Sequence, residues 1–277
     1  MDADEVSVHG SRFTERSGSR TDESRVTSHG SAGGRPRVGL FVTCLVDLMR
    51  PRIGFAALEL LERAGCDVVV PVAQTCCGQP AYNSGDRRSA QALARKLVAE
   101  FEGCDYIVAP SGSCGGMVRT HYADLFAADE AWRNRAQKVA ERTYELTDFL
   151  VNVMKLADVP GRYQGTVTYH DSCSGLREMN VKDQPRTLLA RMPGVVLKEM
   201  SECETCCGFG GTFAVKFGDI STHLAERKCA NVASVAPDAL VLGDLGCMLN
   251  IEGRLRRRGD ATRVFHVAEV LAGKTED

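Results

Sequence analysis

From Arg37 onward the chain alternates short apolar runs with longer stretches of helical periodicity. "RVGLFVTC" has the density of a buried strand and ends on Cys44, and "GFAALELLERAGCDV" repeats its apolar residues at the three- and four-residue spacing of an amphipathic helix. "DVVVPVAQTCC" is a second strand leading to a cysteine pair. "RRSAQALARKLVAEFEGC" follows as a helix, and "DYIVAPSGSCGG" as a strand leading to Cys114. The order then repeats. "GTVTYHDSC" is a strand ending on Cys173, "PRTLLARM" a helix, and "GVVLKEMSECETCC" leads to a second cysteine pair. "DISTHLAERKCANVASV" is a helix and "DALVLGDLGC" a strand ending on Cys247. Each half is expected to close with a short helix, "YELTDFLVNVM" and "VFHVAEVLA".

Strands that alternate with helices imply parallel sheets with right-handed crossovers. The fold class expected is therefore α/β: two tandemly duplicated Rossmann-like lobes, residues 37–160 and 161–277, with metal sites at the C-terminal ends of the strands. The spacings support the duplication. Cys44 to Cys76 is 32 positions and Cys173 to Cys206 is 33, while Cys77 to Cys114 is 37 and Cys207 to Cys247 is 40. A repeat of about 130 residues is too long for a solenoid unit. Residues 1–36 break the pattern. They are rich in Ser, Gly and mixed charge, and cannot bury enough apolar surface to offset their ordering entropy. A disordered tail is expected there, with His9 and His29 exposed to solvent.

Composition changes this picture in one respect. With 44% hydrophobic and 25% charged residues in 277, the chain is of ordinary globular type. A net charge of −2 gives no reason to expect nucleic acid or an anionic membrane as partner. No apolar run approaches the ~20 residues of a transmembrane segment, and the N-terminus is too polar for a signal peptide. A cytoplasmic protein is expected. Twelve cysteines are then anomalous, because in a reducing compartment they point to metal binding or catalysis rather than disulfides. Adjacent residues have Cα atoms ~3.8 Å apart, short of the ~4.4–6.8 Å of an ordinary disulfide. The pairs Cys76–Cys77 and Cys206–Cys207 are better suited to holding one metal centre. Four thiolates per lobe suit either an iron–sulfur cluster or a tetrahedral zinc. In "CCGFGG" the glycines let the backbone approach closely, with N–H groups free to point at the bridging sulfides of a cluster. A nucleotide site is disfavoured, since no G-x-G-x-x-G opens a helix and no GKS or GKT is present.

The pattern Cys, about 31 residues, CCG, about 36 residues, Cys, occurring twice, resembles the cysteine-rich CCG domain family. That family includes a heterodisulfide reductase component and the iron–sulfur subunits of glycolate oxidase and anaerobic glycerol-3-phosphate dehydrogenase. "CCGQPAYNSG", "PSGSCGGMV", "YHDSC" and "CCGFGGTFAVK" carry the resemblance, which covers about residues 37–272. It implies an iron–sulfur electron-transfer subunit of a cytoplasmic L-lactate (2-hydroxy acid) oxidation complex. The ligands it implies are Cys44, Cys76, Cys77 and Cys114 in the first lobe and Cys173, Cys206, Cys207 and Cys247 in the second. The cofactor it implies is a [4Fe-4S] cluster, with zinc an alternative in the first lobe. The chain lacks the ferredoxin-type C-x2-C-x2-C-x3-C run of some relatives, so a ferredoxin-type iron–sulfur protein is expected among its partner subunits. One departure stands out. The heterodisulfide reductase member of the family ends each motif with C-x-x-C, whereas here Ser111 and Asp244 take the first position of that unit. Each is then a candidate weak oxygen ligand, and the alternative of a disulfide-reducing subunit is disfavoured. A zinc-binding, non-redox assembly subunit is the other alternative.

The remaining candidates read more plainly. Cys66, Cys104 and Cys229 fall where small core residues are expected. Cys203 forms a C-x-x-C with Cys206, and as a ligand, a resolving thiol or a passenger it has no counterpart in the first half. His170 and Asp171 precede Cys173 at a strand end. A hydrogen bond that tunes the cluster or fixes the loop is expected of them, rather than acid–base catalysis. His266 is expected to be structural, His121 and His223 show no partner in the sequence, and "RLRRRG" at 254–259 reads as a solvated helix end.

Overall fold

Among residues 34–276, which the computed structural model describes, eight strands form two four-stranded sheets. Residues 1–33, with most of the expected tail and with His9 and His29, lie outside the described residues, as does Asp277. The first sheet holds β1 (Arg37–Leu40), β2 (Asp67–Val69), β3 (Tyr106–Ala109) and β4 (Thr143–Glu145) in the order β2-β1-β3-β4. The second holds β5 (Gly165–His170), β6 (Val195–Leu197), β7 (Ala239–Leu242) and β8 (Arg263–His266) in the order β6-β5-β7-β8. Every pairing is parallel. Each sheet is therefore the α/β arrangement that the alternation predicts, and the order repeats between the halves.

Two details differ from the expectations of the sequence. The closing segments are not helices throughout: Tyr144 and Glu145 belong to β4, and Val264 to His266 belong to β8. These strands have three and four residues, too few to show a period of two before the helix begins. The lone cysteines also stand beyond their strands. Cys44 opens the helix Cys44–Met49 and Cys173 opens Cys173–Glu178, while Cys114 and Cys247 lie in the first turns of Gly112–Gly116 and Leu245–Arg257. In each sheet the connections leave the two central strands in opposite directions. The opened gap at their C-terminal ends is where α/β folds collect ligands.

The lobes exchange their last helices. Val267–Leu271 of the second lobe packs on Pro51–Arg63 of the first, and the turn after β4 packs on Asp183–Ala190 of the second. Each exchange carries a matching polar contact. Arg52 pairs with the fully buried Glu269, and Gln184 Nε2 donates to Asp148 Oδ1 at 3.0 Å. One apolar cluster accordingly runs through both lobes, from Leu40 and Ile53 to Phe149, Leu242 and Val267. Where the helices Gly112–Gly116 and Cys173–Glu178 cross, their backbones touch, with Gly112 against Gly175.

Glu145 ends β4 at this seam. One carboxylate oxygen accepts from the backbone N–H groups of Thr147 at 2.8 Å and Asp148 at 3.2 Å, capping the exchanged turn. The other oxygen is buried without a partner, and it faces a space of about 10 Å³ lined also by Tyr169 and Gly243. Burial raises the Glu145 carboxyl to about 7, against the hydrogen bond from Thr147. A raised carboxyl favours the folded state fully below its unfolded value and loses that contribution as pH rises through its folded value. Between about pH 5 and pH 8, wild type should lose roughly 2–3 kcal/mol relative to Glu145→Gln. Urea titrations of both proteins at the two pH values check this, and parallel pH profiles would refute it.

Candidate metal centre

In each lobe the thiols that the sequence singled out come together as a chain of contacts. Cys44 meets Cys76, Cys76 meets Cys77, and Cys77 meets Cys114. In the second lobe Cys173 meets Cys206, Cys206 meets Cys207, and Cys207 meets Cys247. All eight are free thiols. The first and last of each set come from the helices after the central strands, and the pair comes from the loop after the edge strand. Residues up to 74 positions apart thus meet at the C-terminal gap of one sheet.

The CCG signature has a local cause. Gly78 has φ 84 and Gly208 has φ 90, in the left-handed region that a side chain disfavours. That turn aims each glycine's own N–H back at the first sulfur of the pair. Gly78 N lies 3.4 Å from Cys76 Sγ, and Gly208 N lies 3.3 Å from Cys206 Sγ. In the second lobe Phe209 N also reaches Cys207 Sγ at 3.5 Å. The buried member of each pair is held by its carbonyl: Tyr122 Oη donates to Cys77 O at 2.9 Å and Asn250 Nδ2 to Cys207 O at 2.8 Å. Nothing local in the sequence marks Tyr122 or Asn250, because each reaches its pair from a distant helix.

These contacts polarise the thiols. Hydrogen bonds from Cys44 and then Cys77 draw Cys76 down to about 3, and those from Cys173 and then Cys207 draw Cys206 down to about 2. Their partners move the other way. Cys44 and Cys173 are pushed up as donors to these sulfurs and by burial, and Cys77 and Cys207 are held well above the thiol range for the same reasons. In each quartet two neighbouring thiols thus turn their hydrogen bonds to one sulfur, which favours its thiolate form. Four converging sulfurs with backbone donors fit a thiophilic metal or an iron–sulfur cluster.

The other candidates fall elsewhere. Ser111 and Asp244 serve as helix caps and join the lobes: Ser111 Oγ accepts from Cys114 N at 3.3 Å and donates to Asp244 Oδ2 at 3.1 Å. Asp244 also accepts from Ser113 N at 2.9 Å and Gly246 N at 3.1 Å. Cys203 turns its thiol toward Asp171, outside the quartet, and Asp171 is paired with Arg186 at 2.8 Å. Cys66, Cys104 and Cys229 are core residues, 1%, 4% and 0% exposed. His266 caps its helix, accepting from Ala268 N at 3.2 Å. His121 lies against Tyr82, with ring centroids 4.8 Å apart, and His223 is exposed. His170 is fully buried beside the second quartet. A ring nitrogen of His170 and the sulfurs of Cys207 and Cys247 all lie within 4.8 Å of one another, a grouping able to hold a metal ion. Burial, with Lys228 nearby, holds this imidazole down to about 3, so it is neutral.

The model of the cysteine-rich CCG domain matches this chain twice, over residues 38–119 and 167–252. The chain belongs to the CCG family. Each thiol quartet lies wholly within one matched stretch. Among similar proteins, a lactate utilization protein A from Bacillus cytotoxicus is 47% identical over 239 residues, which are 86% of this chain and 100% of that one. A second, from Anoxybacillus flavithermus, is 48% identical over 234 residues, covering 84% and 98%. The fold is also found in a solved structure of a hypothetical protein from Helicobacter pylori, with TM-score 0.63 and 10% identity, covering 89% of this chain and 52% of that one. Among the described residues, no helix is long and apolar enough to cross a membrane.

Gly208 is the more sensitive of the two CCG glycines. A Cβ there would lie 2.5 Å from the Ser221 carbonyl oxygen, besides straining the backbone. Gly208→Ala should abolish metal retention by the second quartet and leave the first intact, with a strain cost of about 1–3 kcal/mol. Metal content per chain reads this directly. Full loading of both sites in the variant would refute it.

Proposed function

We propose that this protein is the iron–sulfur, electron-carrying subunit of a cytoplasmic complex that oxidises L-lactate. The observation that carries this reading is the doubled quartet, four touching thiols at the C-terminal gap of each sheet. The names of the relatives supply the substrate class. Cys44, Cys76, Cys77 and Cys114 would hold one centre, and Cys173, Cys206, Cys207 and Cys247 the other. An iron–sulfur cluster bound there supplies reversible one-electron transfer. The chain's own part is to fix the sulfurs, to donate backbone N–H groups to them, and to shield the buried member of each pair from water. Cys114 and Cys173 stand on the two helices that cross at Gly112 and Gly175, which suits passage of electrons between lobes.

Partner subunits, among them a ferredoxin-type iron–sulfur protein, complete the reaction on this reading. The segment after the second pair presents Val215, Phe217 and Ile220, 86%, 52% and 54% exposed, a surface that a partner can cover. The disulfide-reducing alternative has less support, because Ser111 and Asp244 are occupied as caps where a fifth cysteine would stand.

Anaerobically purified protein should contain iron and acid-labile sulfide, and should show a paramagnetic signal that dithionite alters. Cys206→Ala should remove about half of the iron and one spectral component. It should also fail to restore growth on L-lactate to a strain lacking the wild-type gene. Zinc without sulfide would overturn the redox reading.

A further inference from the structure

His170 closes β5, is 0% exposed, and has one ring nitrogen accounted for. Nδ1 lies 3.1 Å from the carbonyl oxygen of Cys203. A carbonyl only accepts, so Nδ1 carries the proton and Nε2 a lone pair. That carbonyl is itself pinned, receiving Asp171 N at 3.1 Å and Lys228 Nζ at 3.2 Å. The imidazole is therefore held in one tautomer and one orientation. Its Nε2 is buried with no hydrogen-bond partner. A buried polar atom left without a partner costs on the order of 1–3 kcal/mol, so its retention calls for a reason. The reason lies alongside it: with Nδ1 engaged, Nε2 is the ring nitrogen free to face Cys207 and Cys247, whose sulfurs group with the ring within 4.8 Å.

The first lobe offers a control. Phe41 precedes Cys44 by three positions as His170 precedes Cys173, so the two occupy corresponding places in the duplication. Phe41 is fully buried and packs edge-on against Phe101, with centroids 5.8 Å apart. An apolar ring satisfies the fold at this position. The imidazole in the second lobe is thus not required by packing. A histidine whose far nitrogen donates to a fixed carbonyl is also the usual arrangement of a metal-bound imidazole.

We propose that the second centre is a mixed thiolate–imidazole site, with His170 Nε2 bonding metal alongside Cys207 and Cys247, while the first centre is bound by sulfur alone. This rests on the reading that the quartets hold metal, though not on that metal being iron. Sulfurs around one tetrahedral ion stand roughly 3.8 Å apart, so the group needs only a small inward movement to close on it. The His170 hydrogen bond to the Cys203 carbonyl fixes the loop, as the sequence leads one to expect. The free nitrogen extends its role to ligation.

The test uses the full chain, stripped of metal and loaded with 113Cd(II) alone, with histidine labelled with 15N. Two cadmium resonances are expected. One should be split by coupling to a histidine nitrogen, and in His170→Gln that splitting should vanish as the line moves toward the all-sulfur range. The wild-type spectrum is decisive even if the variant folds poorly. Two unsplit lines, or no cadmium in the second site, would overturn the assignment. Iron and sulfide in anaerobically purified protein separate this result from the redox reading. A split cadmium line without iron sinks electron transfer and keeps His170 as a ligand. Iron and sulfide with unsplit lines does the reverse.

Discussion

The arrangement depends on two helices whose backbones meet without side chains between them. A Cβ at residue 112 would lie 2.6 Å from Gly175 Cα and 2.7 Å from its nitrogen, while one at residue 175 would lie 2.6 Å from Ser172 Oγ. No rotamer relieves the first two contacts, since the obstacle is backbone, and moving the Ser172 hydroxyl would give up its cap on Gly175 N. The close approach fixes more than the lobes' orientation. Cys114 follows Gly112 by two positions and Cys173 precedes Gly175 by two, so the crossing also sets how the two thiol quartets face each other. Asp244 reinforces it by accepting from Ser111 and Ser113 of the opposite lobe. With the exchanged last helices, this makes the two lobes one mechanical unit.

Duplication explains what is shared between the lobes, and divergence explains what is not. Both kept the left-handed glycine after the pair, the N–H aimed at the first sulfur, and the polar contact of the exchanged helix. These are backbone solutions to the problem of presenting adjacent thiols, and few other residues satisfy them. The side chains around the sulfurs were freer to change. The pair carbonyl is held by tyrosine in one lobe and asparagine in the other, and Phe41 corresponds to His170. The repeated features are those that geometry demands, and the altered ones adjust the electrostatics of each site.

This division also governs how much is legible in the sequence. The parallel sheets, their repetition and the eight converging cysteines can be read, because apolar runs, helical periodicity and near-equal spacings are local signals. The three-residue β4 and the four-residue β8 cannot, since their burial comes from neighbouring strands rather than from their own pattern. Ser111 and Asp244 suggest oxygen ligands because they fill the place of a family cysteine. Their role as caps across the seam depends on the glycine crossing, which no spacing encodes. Glu145 reads as part of a helix; its burial follows from the meeting of two lobes. His170 is legible as a residue near the cluster, but its tautomer rests on a carbonyl 33 positions away.

Electrostatics gives the asymmetry of the quartets a direction. Four thiolates in a buried pocket repel one another, and in each quartet two thiols turn their hydrogen bonds to one sulfur. A metal centre relieves this repulsion, and the net charge that remains sets how easily the centre accepts an electron. The second lobe eases that charge in two ways. Phe209 N adds an N–H donor that draws charge from a ligand sulfur, and on the mixed-ligand proposal the neutral imidazole beside Cys207 and Cys247 takes the place of one thiolate on the metal. In Rieske centres the exchange of thiolate for imidazole raises the potential by hundreds of millivolts. On the electron-carrier reading, the second centre is then the easier of the two to reduce. Electrons entering at the first lobe would run downhill across the glycine crossing toward the second. On the same reading, the exposed Val215, Phe217 and Ile220 of that lobe are the face from which a partner would take them.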